Sequence, residues 1–185
     1  MRRRIPSSSP IWTPAFEPPP PPTSARWRLT PLHPDLAEID YDAFMSSRER
    51  LAAELDWKGW PTAGFTLEEN IADLVDHYGE FERREGYAYS VLADPRCIGC
   101  VYIESWTEPD GAQLYFWLRD DALELEGEVV SGTLTWLLHG WPLARVVVAV
   151  RPWNHRGVQV LEGLGLRRCV GPEGHVGFEA DQSRS

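Results

Sequence analysis

Apolar side chains recur at helical spacing in five stretches of the chain. The clearest stretch opens with the capping box Thr66 and Glu69 and continues with apolar residues at 67, 71, 74, 75, 78 and 81. A second capping box, Ser46 with Glu49, precedes a shorter amphipathic stretch. The other predicted helices cover residues 35–44, 48–55, 126–141 and 155–164, the last closed by Gly165.

Between these helices lie segments rich in β-branched and aromatic residues, which predict strands. Residues 145–151 (RVVVAVR) are so continuously apolar that they predict a buried central strand. The other predicted strands cover residues 26–32, 87–92, 96–105, 112–119, 167–170 and 175–179. This alternation predicts an α/β (α+β) fold with a mixed sheet and helices on both faces.

The first 26 residues contain eight of the 16 prolines and have no regular apolar spacing. They therefore predict a disordered tail, residues 1–26, in which Pro18 to Pro22 sample polyproline II. A structureless leader and a ligand for an aromatic-lined groove are both compatible with this composition. The folded domain is then expected at residues 27–180, followed by a short tail at 181–185.

The charge is strongly negative: 18 Lys and Arg stand against 28 Asp and Glu, which gives −10. Five of the bases lie before residue 29, so the body is more acidic still. Such a surface repels phosphate backbones, which argues against a nucleic-acid partner and favours a cationic small substrate. No apolar run reaches the ~18 residues that a membrane helix requires. An odd number of cysteines without a secretory signal is typical of a cytoplasmic protein.

Cys97 and Cys100 have the spacing of a redox or metal-binding pair. They lie, however, in a predicted strand, where residues three apart point to opposite faces. The sequence therefore predicts ordinary buried thiols and no metal.

The segment from Asn154 to Leu166, with Gly157, Leu161 and Gly165 between them, resembles the motif after the fifth strand of the GNAT superfamily of N-acetyltransferases. The resemblance covers about residues 27–180 and implies a GNAT-like, mostly antiparallel mixed sheet and acetyl-CoA as co-substrate. It also implies that Asn154 and Leu161 line the cofactor. Leu161 stands where the family often has the tyrosine that protonates the departing thiolate, and leucine cannot supply a proton.

The family's pyrophosphate loop corresponds to Arg119 through Glu124, in which Ala122 and Glu124 replace glycines. Glycine lets the backbone approach an anion closely, and acidic side chains at the same place repel it. Two interpretations stay open here: a modified cofactor loop, and a solvated acidic helix start that binds no phosphate.

The resemblance also implies that pantetheine lies along the backbone of Phe116, Trp117 and Leu118, beside the strand at 146–150. Arg156, at a helix start, is the best-placed cation for the coenzyme A phosphates. Glu104 is the candidate general base and Tyr115, with Tyr102 as an alternative, the candidate acid; a solvated rim carboxylate and core aromatics are the competing interpretations. Trp57, Trp60 and Phe65 lie in the segment that covers the acceptor site in the family, and they predict either a ligand-stacking surface or a hydrophobic plug.

The expected function is therefore transfer of an acetyl group from acetyl-CoA to an unidentified primary amine by direct attack. The acceptor, small or on a protein, is expected to be cationic. The alternative is a catalytically inactive GNAT-fold protein that binds or interacts without turnover, which the replaced loop glycines and the missing tyrosine favour.

Overall fold

A computed structural model describes residues 11–57, 60–108 and 110–181. The helices are α1 (Ala37–Ser46), α2 (Arg48–Leu55), α3 (Leu67–Glu82), α4 (Glu126–Gly140) and α5 (His155–Gly163). The strands are β1 (Arg28–Pro31), β2 (Tyr87–Ala93), β3 (Arg96–Ser105), β4 (Gly111–Leu118), β5 (Arg145–Val150), β6 (Arg167–Val170) and β7 (Val176–Asp181). Short 3₁₀ turns occupy Pro34–Leu36 and Asp120–Leu125. None of the helices within the described ranges is long and apolar enough to cross a membrane.

The strands form one seven-stranded sheet in the order β1-β2-β3-β4-β5-β7-β6. Every neighbouring pair is antiparallel except β4 and β5, which run parallel. One face packs against α4, with Val129, Val130 and Leu134 in its core. The other face is covered by α1, α2 and α3, with Phe44, Leu51 and Leu74 in its core. The predicted mixed sheet with helices on both faces is confirmed.

The parallel pair β4 and β5 diverges halfway along. Their pairing ends at Leu114 and Val148, while β5 continues along β7 to Val150. Beyond Leu114, the remainder of β4 does not pair with β5 among the described residues. Because an unpaired strand edge exposes backbone donors and acceptors, this divergence leaves a cleft that can bind a ligand by main-chain hydrogen bonds.

Helix α3 begins with the predicted capping box: the Thr66 hydroxyl accepts from the backbone N–H of Glu69, and the Glu69 carboxylate accepts from the backbone N–H of Thr66. The second predicted box is wrong. The Ser46 hydroxyl donates to the Ala43 carbonyl instead, because α1 runs through Ser46 and α2 begins only two residues later. A serine that still lies inside a helix uses its hydroxyl on the preceding turn rather than as a cap.

The prediction that residues 1–26 lack persistent structure is wrong for residues 11–26, while residues 1–10 lie outside the described ranges. Ile11 is fully buried, Trp12 is 8% exposed, and Phe16 packs at the edge of the same core. The Tyr87 hydroxyl donates to the Ile11 carbonyl at 2.6 Å. These three apolar residues have no helical or strand period, so only the tertiary structure shows the surface that they cover.

The prediction that the Cys97 and Cys100 sulfurs point to opposite faces is also wrong. The pairing of β3 with β2 shifts between Val91, opposite Gly99, and Leu92, opposite Cys97, so β3 contains one extra residue. Such a bulge brings residues three apart onto the same face. Both thiols face Asp40, and Cys100 Sγ donates to Asp40 Oδ1 at 3.3 Å.

Asp40 is 3% exposed, and its second oxygen accepts from Asn70 Nδ2 at 3.1 Å. Burial raises the pKa of this carboxyl to about 6, although the hydrogen bonds from Asn70 and Cys100 oppose the shift. Because the folded state then holds the proton more tightly than the unfolded state, ionisation of Asp40 lowers stability as the pH rises through about 6.

Replacing Asp40 with asparagine is expected to remove this pH dependence. The stability of the variant relative to the wild type should rise by about 2 to 3 kcal/mol between pH 4 and pH 7. Urea unfolding at several pH values measures the difference, with Glu38→Gln, an exposed change on the same helix, as the control. A constant difference across this pH range would show that Asp40 titrates as an ordinary carboxyl.

Candidate functional site

Two cavities meet on the face of the sheet that carries α1 to α3. The first, here called the aromatic pocket, has a volume of about 410 Å³ and is lined by Trp57, Trp60, Asp73, His77, Tyr102, Glu104, Tyr115 and His175. The second, here called the strand cleft, lies at the divergence of β4 and β5 and has a volume of only about 20 Å³. Trp57, Tyr115 and His175 line both, so a group in the pocket and a group in the cleft would meet beside these side chains.

The aromatic pocket is walled by rings from three parts of the chain. Trp57 follows α2, where Asp56 adopts a left-handed conformation (φ 50°) and turns the chain back over the sheet. Its ring lies 5.7 Å from that of Trp60, 5.6 Å from Tyr102 and 6.4 Å from Tyr115. Electron-rich ring faces around a cavity are suited to bind a cation.

Phe65, the third aromatic of the predicted lid, packs against Phe44 at 5.6 Å and does not line the pocket. The two interpretations of this segment therefore apply to different residues. Trp57 and Trp60 line the cavity, whereas the half-buried Phe65 only packs against the hydrophobic core.

Glu104 and Tyr115 are brought together by the register of β3 and β4. Gln113 lies opposite Glu104 in the ladder, and its Nε2 donates to the Glu104 carboxylate at 2.9 Å. The Tyr115 hydroxyl donates to Gln113 Oε1 at 3.2 Å. Gln113 is fully buried, so its amide fixes the orientation of both candidate catalytic groups. Sequence reasoning missed it, although a glutamine in an apolar strand is itself a signal of a buried polar partner.

Carboxylates give the aromatic pocket a negative field. Burial raises the pKa of Asp73, with the neighbouring His77 acting in the opposite direction. Burial alone would lower the pKa of His77, but the hydrogen bond with Glu80 (3.4 Å) and the charge of Asp73 (3.8 Å) raise it. His77 therefore keeps its proton to a higher pH than an exposed histidine does.

The strand cleft contains several of the residues that the sequence indicated for cofactor binding. Phe116, Trp117, Asn154 and Arg156 all line it, together with Tyr115, the candidate acid. Asn154 caps α5, since its Oδ1 accepts from the backbone N–H of Gly157 at 2.8 Å. A Cβ at Gly157 would lie only 2.9 to 3.1 Å from the Asn154 side chain, which explains the small residue at this position.

Five of the nine indicated cofactor residues line neither cavity. Arg119 pairs with Asp42 at 3.0 Å, and Leu161 is fully buried in the core beneath α5. Ala122 packs into the same core, and Glu124 is exposed on the Asp120–Leu125 turn. The side chain of Leu118 is also buried, but its carbonyl lies at the cleft and accepts from Arg50.

Two arginines, Arg50 and Arg156, line the strand cleft together with the acidic residues Glu54 and Glu126. Arg156 contacts the Glu126 carboxylate, and its Nε is buried without a hydrogen-bond partner among the described residues. Arg50 reaches the same place from α2, a position that no sequence motif indicated. Two arginines with their carboxylate partners, and one buried donor without a partner in the described ranges, therefore lie beside the part of β4 that does not pair with β5.

The chain is similar to known proteins in both sequence and fold. A family model described as the acetyltransferase (GNAT) domain matches residues 26–167. No curated protein matches the sequence. Three similar solved structures each share less than 20% sequence identity with this chain, so they show its fold alone.

One of these structures is the RimL ribosomal L7/L12 α-N-protein acetyltransferase in complex with coenzyme A, with 15% identity and a TM-score of 0.73 over 86% of this chain and 96% of that one. Another is the ribosomal-protein-S5-alanine acetyltransferase of Vibrio fischeri, with 17% identity and a TM-score of 0.71 over 89% and 97%. A third, the microcin C7 self-immunity acetyltransferase MccE in complex with acetyl-CoA and AMP, has 9% identity and a TM-score of 0.73 over 85% and 93%.

Proposed function

Because this chain belongs to the acetyltransferase (GNAT) domain family, we propose that it transfers an acetyl group from acetyl-CoA to the primary amine of a small cationic acceptor. The observation that carries this proposal is the meeting of the aromatic pocket and the strand cleft at Trp57, Tyr115 and His175. An acceptor in the first cavity and a thioester in the second would be adjacent there, and holding two reactants in this way supplies much of the rate enhancement.

Acetyl-CoA, when bound, supplies the activated acyl group. The residues of this chain that would hold it are the unpaired backbone of Phe116 to Leu118, Asn154 at the start of α5, and Arg156. The backbone groups of β4 are suited to hydrogen-bond the amides of pantetheine, and the arginine is suited to its phosphates. The divergence of β4 from β5 supports this assignment.

Glu104 is the group that we propose to take the proton from the acceptor's ammonium. It lines the aromatic pocket, and the hydrogen bond from Gln113 holds it in one orientation. Tyr115 is the group that we propose to protonate the departing thiolate, in place of the tyrosine that Leu161 replaces. Its hydroxyl is held by Gln113 and its ring lies where the two cavities meet.

The acceptor is proposed to be small because a cavity of about 410 Å³ lies within the range typical of small-molecule sites. It is proposed to be cationic because Asp73 and Glu104 line the same cavity as Trp57, Trp60 and Tyr102. The neighbours RimL and the S5-alanine enzyme act on ribosomal proteins, as their descriptions state, so a protein amine is the competing acceptor.

The catalytically inactive binding module remains the alternative function. It is favoured by the small volume of the strand cleft, about 20 Å³, which is far below the roughly 300 Å³ or more that is typical of small-molecule sites. An active enzyme must open this cleft to admit its co-substrate. We propose the cytoplasm as the site of action, because Cys97, Cys100 and Cys169 are all free thiols.

Purified protein with acetyl-CoA is expected to release free thiol in the presence of amines that carry a second positive charge. Amines of equal length that carry a carboxylate instead should react about tenfold less efficiently, because the acids of the pocket repel them. The measurement is kcat/KM from thiol release, repeated with EDTA, which should leave the rate unchanged since direct attack needs no metal.

Peptides with a free N-terminus serve as the comparison in the same assay. If the peptides react faster than every small amine, the proposed small acceptor is wrong and the acceptor is a protein amine. If calorimetry shows binding of acetyl-CoA while no amine reacts, the inactive module becomes the better description.

A further inference from the structure

Helix α2 places an arginine at the end of the strand cleft. Arg50 Nη2 donates to the Leu118 carbonyl, and Nε pairs with Asp120 at 2.5 Å. Its side chain is only 18% exposed, so the guanidinium is held inside the cleft rather than in solvent. Arg50 therefore occupies a backbone acceptor of β4 that the proposed cofactor would use.

The Glu54 carboxylate, one turn further along α2, lies between two guanidinium groups. The same oxygen, Oε2, accepts from Arg50 Nη1 at 2.5 Å and from Arg156 Nη2 at 2.9 Å. An anionic oxygen bridging two arginines is the arrangement that a phosphate oxygen also adopts. Arg50 and Arg156 thus form an anion-binding site, and the Glu54 carboxylate of the chain itself fills it.

Two backbone N–H groups beside this site are engaged within the fold. In the Asp120–Leu125 turn, the N–H of Ala122 donates to the Arg119 carbonyl at 3.1 Å, and the N–H of Asp120 donates to the Ser47 hydroxyl at 2.8 Å. The Arg119 side chain pairs with Asp42 and does not line the cleft. Side-chain cations must therefore supply the contacts that glycine-loop amides supply elsewhere.

We propose that Arg50 and Arg156 together bind the diphosphate of the co-substrate, and that Glu54 occupies their binding site until it arrives. The proposal rests on the proposed function, in which acetyl-CoA is the donor. On binding, the two arginines exchange the Glu54 carboxylate for the diphosphate, and Arg50 releases the Leu118 carbonyl to the pantetheine arm. Glu126 remains the partner of Arg156 throughout, since it is 2% exposed and held at the start of α4.

Glu54 is then a competitor of the ligand, and removing its charge should strengthen binding. The Glu54→Gln variant is expected to bind coenzyme A roughly tenfold more tightly than the wild type, because both arginines lose a competing anion. Arg50→Ala is expected to bind coenzyme A roughly tenfold less tightly than the wild type. The affinity of Arg50→Lys should lie between those of the wild type and Arg50→Ala, because lysine keeps the charge but lacks the planar fork that bridges two anionic groups.

The experiment is calorimetric titration of each variant with coenzyme A and, separately, with pantetheine, which lacks the diphosphate. Pantetheine should lose no affinity in any of the variants, because the arginines bind only the diphosphate; Arg50→Ala should bind pantetheine at least as tightly as the wild type, since the Leu118 carbonyl is then free. Arg48→Ala is the matched control, since Arg48 lies on the same helix and its one described ion pair is a loose 4.0 Å contact with Glu49. Thermal unfolding verifies that Arg50→Ala still folds, and the result for Glu54→Gln does not depend on it.

The outcomes separate the clamp from the function. Weaker or unchanged binding of coenzyme A by Glu54→Gln overturns the clamp while leaving acetyl transfer intact. Equal losses for coenzyme A and pantetheine in Arg50→Ala also overturn it, because the arginine would then act on the pantetheine arm. If coenzyme A and pantetheine bind to none of the proteins, the proposed function fails together with the clamp.

Discussion

Replacing Glu104 with glutamine is expected to lower kcat at neutral pH by about 10² to 10³-fold while leaving the affinity for acetyl-CoA unchanged. The carboxylate lines the pocket that would hold the acceptor, and an amine must lose its proton before it can attack a thioester. Glutamine keeps the shape of the side chain and can still bond with Gln113, so the change removes little except the base.

The pH dependence distinguishes a base from a group that only binds the acceptor. As the pH approaches the pKa of the free amine, the acceptor arrives already deprotonated and the defect of Glu104→Gln should shrink. Loss of a binding carboxylate would instead raise KM and keep kcat. Steady-state kinetics between pH 7 and pH 10 measure both, with Glu68→Gln, an exposed change on α3, as the control. If the activity of Glu104→Gln at neutral pH is within threefold of the wild type, Glu104 is not the base but a solvated carboxylate at the rim.

Replacing Trp12 with alanine is expected to cost about 3 to 5 kcal/mol of the free energy of unfolding. Its ring is 8% exposed and lies 5.1 Å from that of Tyr87, which is itself almost completely buried. The truncation would leave a cavity beside Tyr87 that the other rings around Tyr87, those of Phe16 and Trp141, could fill only in part.

Denaturant unfolding measures the loss, with Val170→Ala as the control because Val170 is 85% exposed and should change stability by less than about 0.5 kcal/mol. Limited proteolysis gives a second observation: residues 11–26 should resist cleavage in the wild type and become accessible in the variant. A change no larger than that of the control would show that this segment covers the core without stabilising it.

The locally encoded parts of the fold could be predicted from the sequence. The capping box of Thr66 and Glu69 and the apolar run of β5 depend on residues within a few positions of one another, so their spacing is visible in the sequence. The segment from Asn154 to Leu166 also indicated the family. Glu104, Tyr115 and Arg156 were named as candidates from the family resemblance together with their residue types, and their roles stay predictions.

The remaining features depend on partners that are distant in the sequence. One extra residue in β3 turns Cys100 toward Asp40, 60 positions away, and no periodicity of β3 alone reports the register of its neighbour. Arg50 became part of the cleft only because α2 packs beside the end of β4, 68 positions on. The sequence by itself determined the helices, the strands and the residue types available for chemistry. The tertiary structure decided which of those groups share a cavity, because side-chain contacts are set by strand register and helix packing rather than by spacing along the chain.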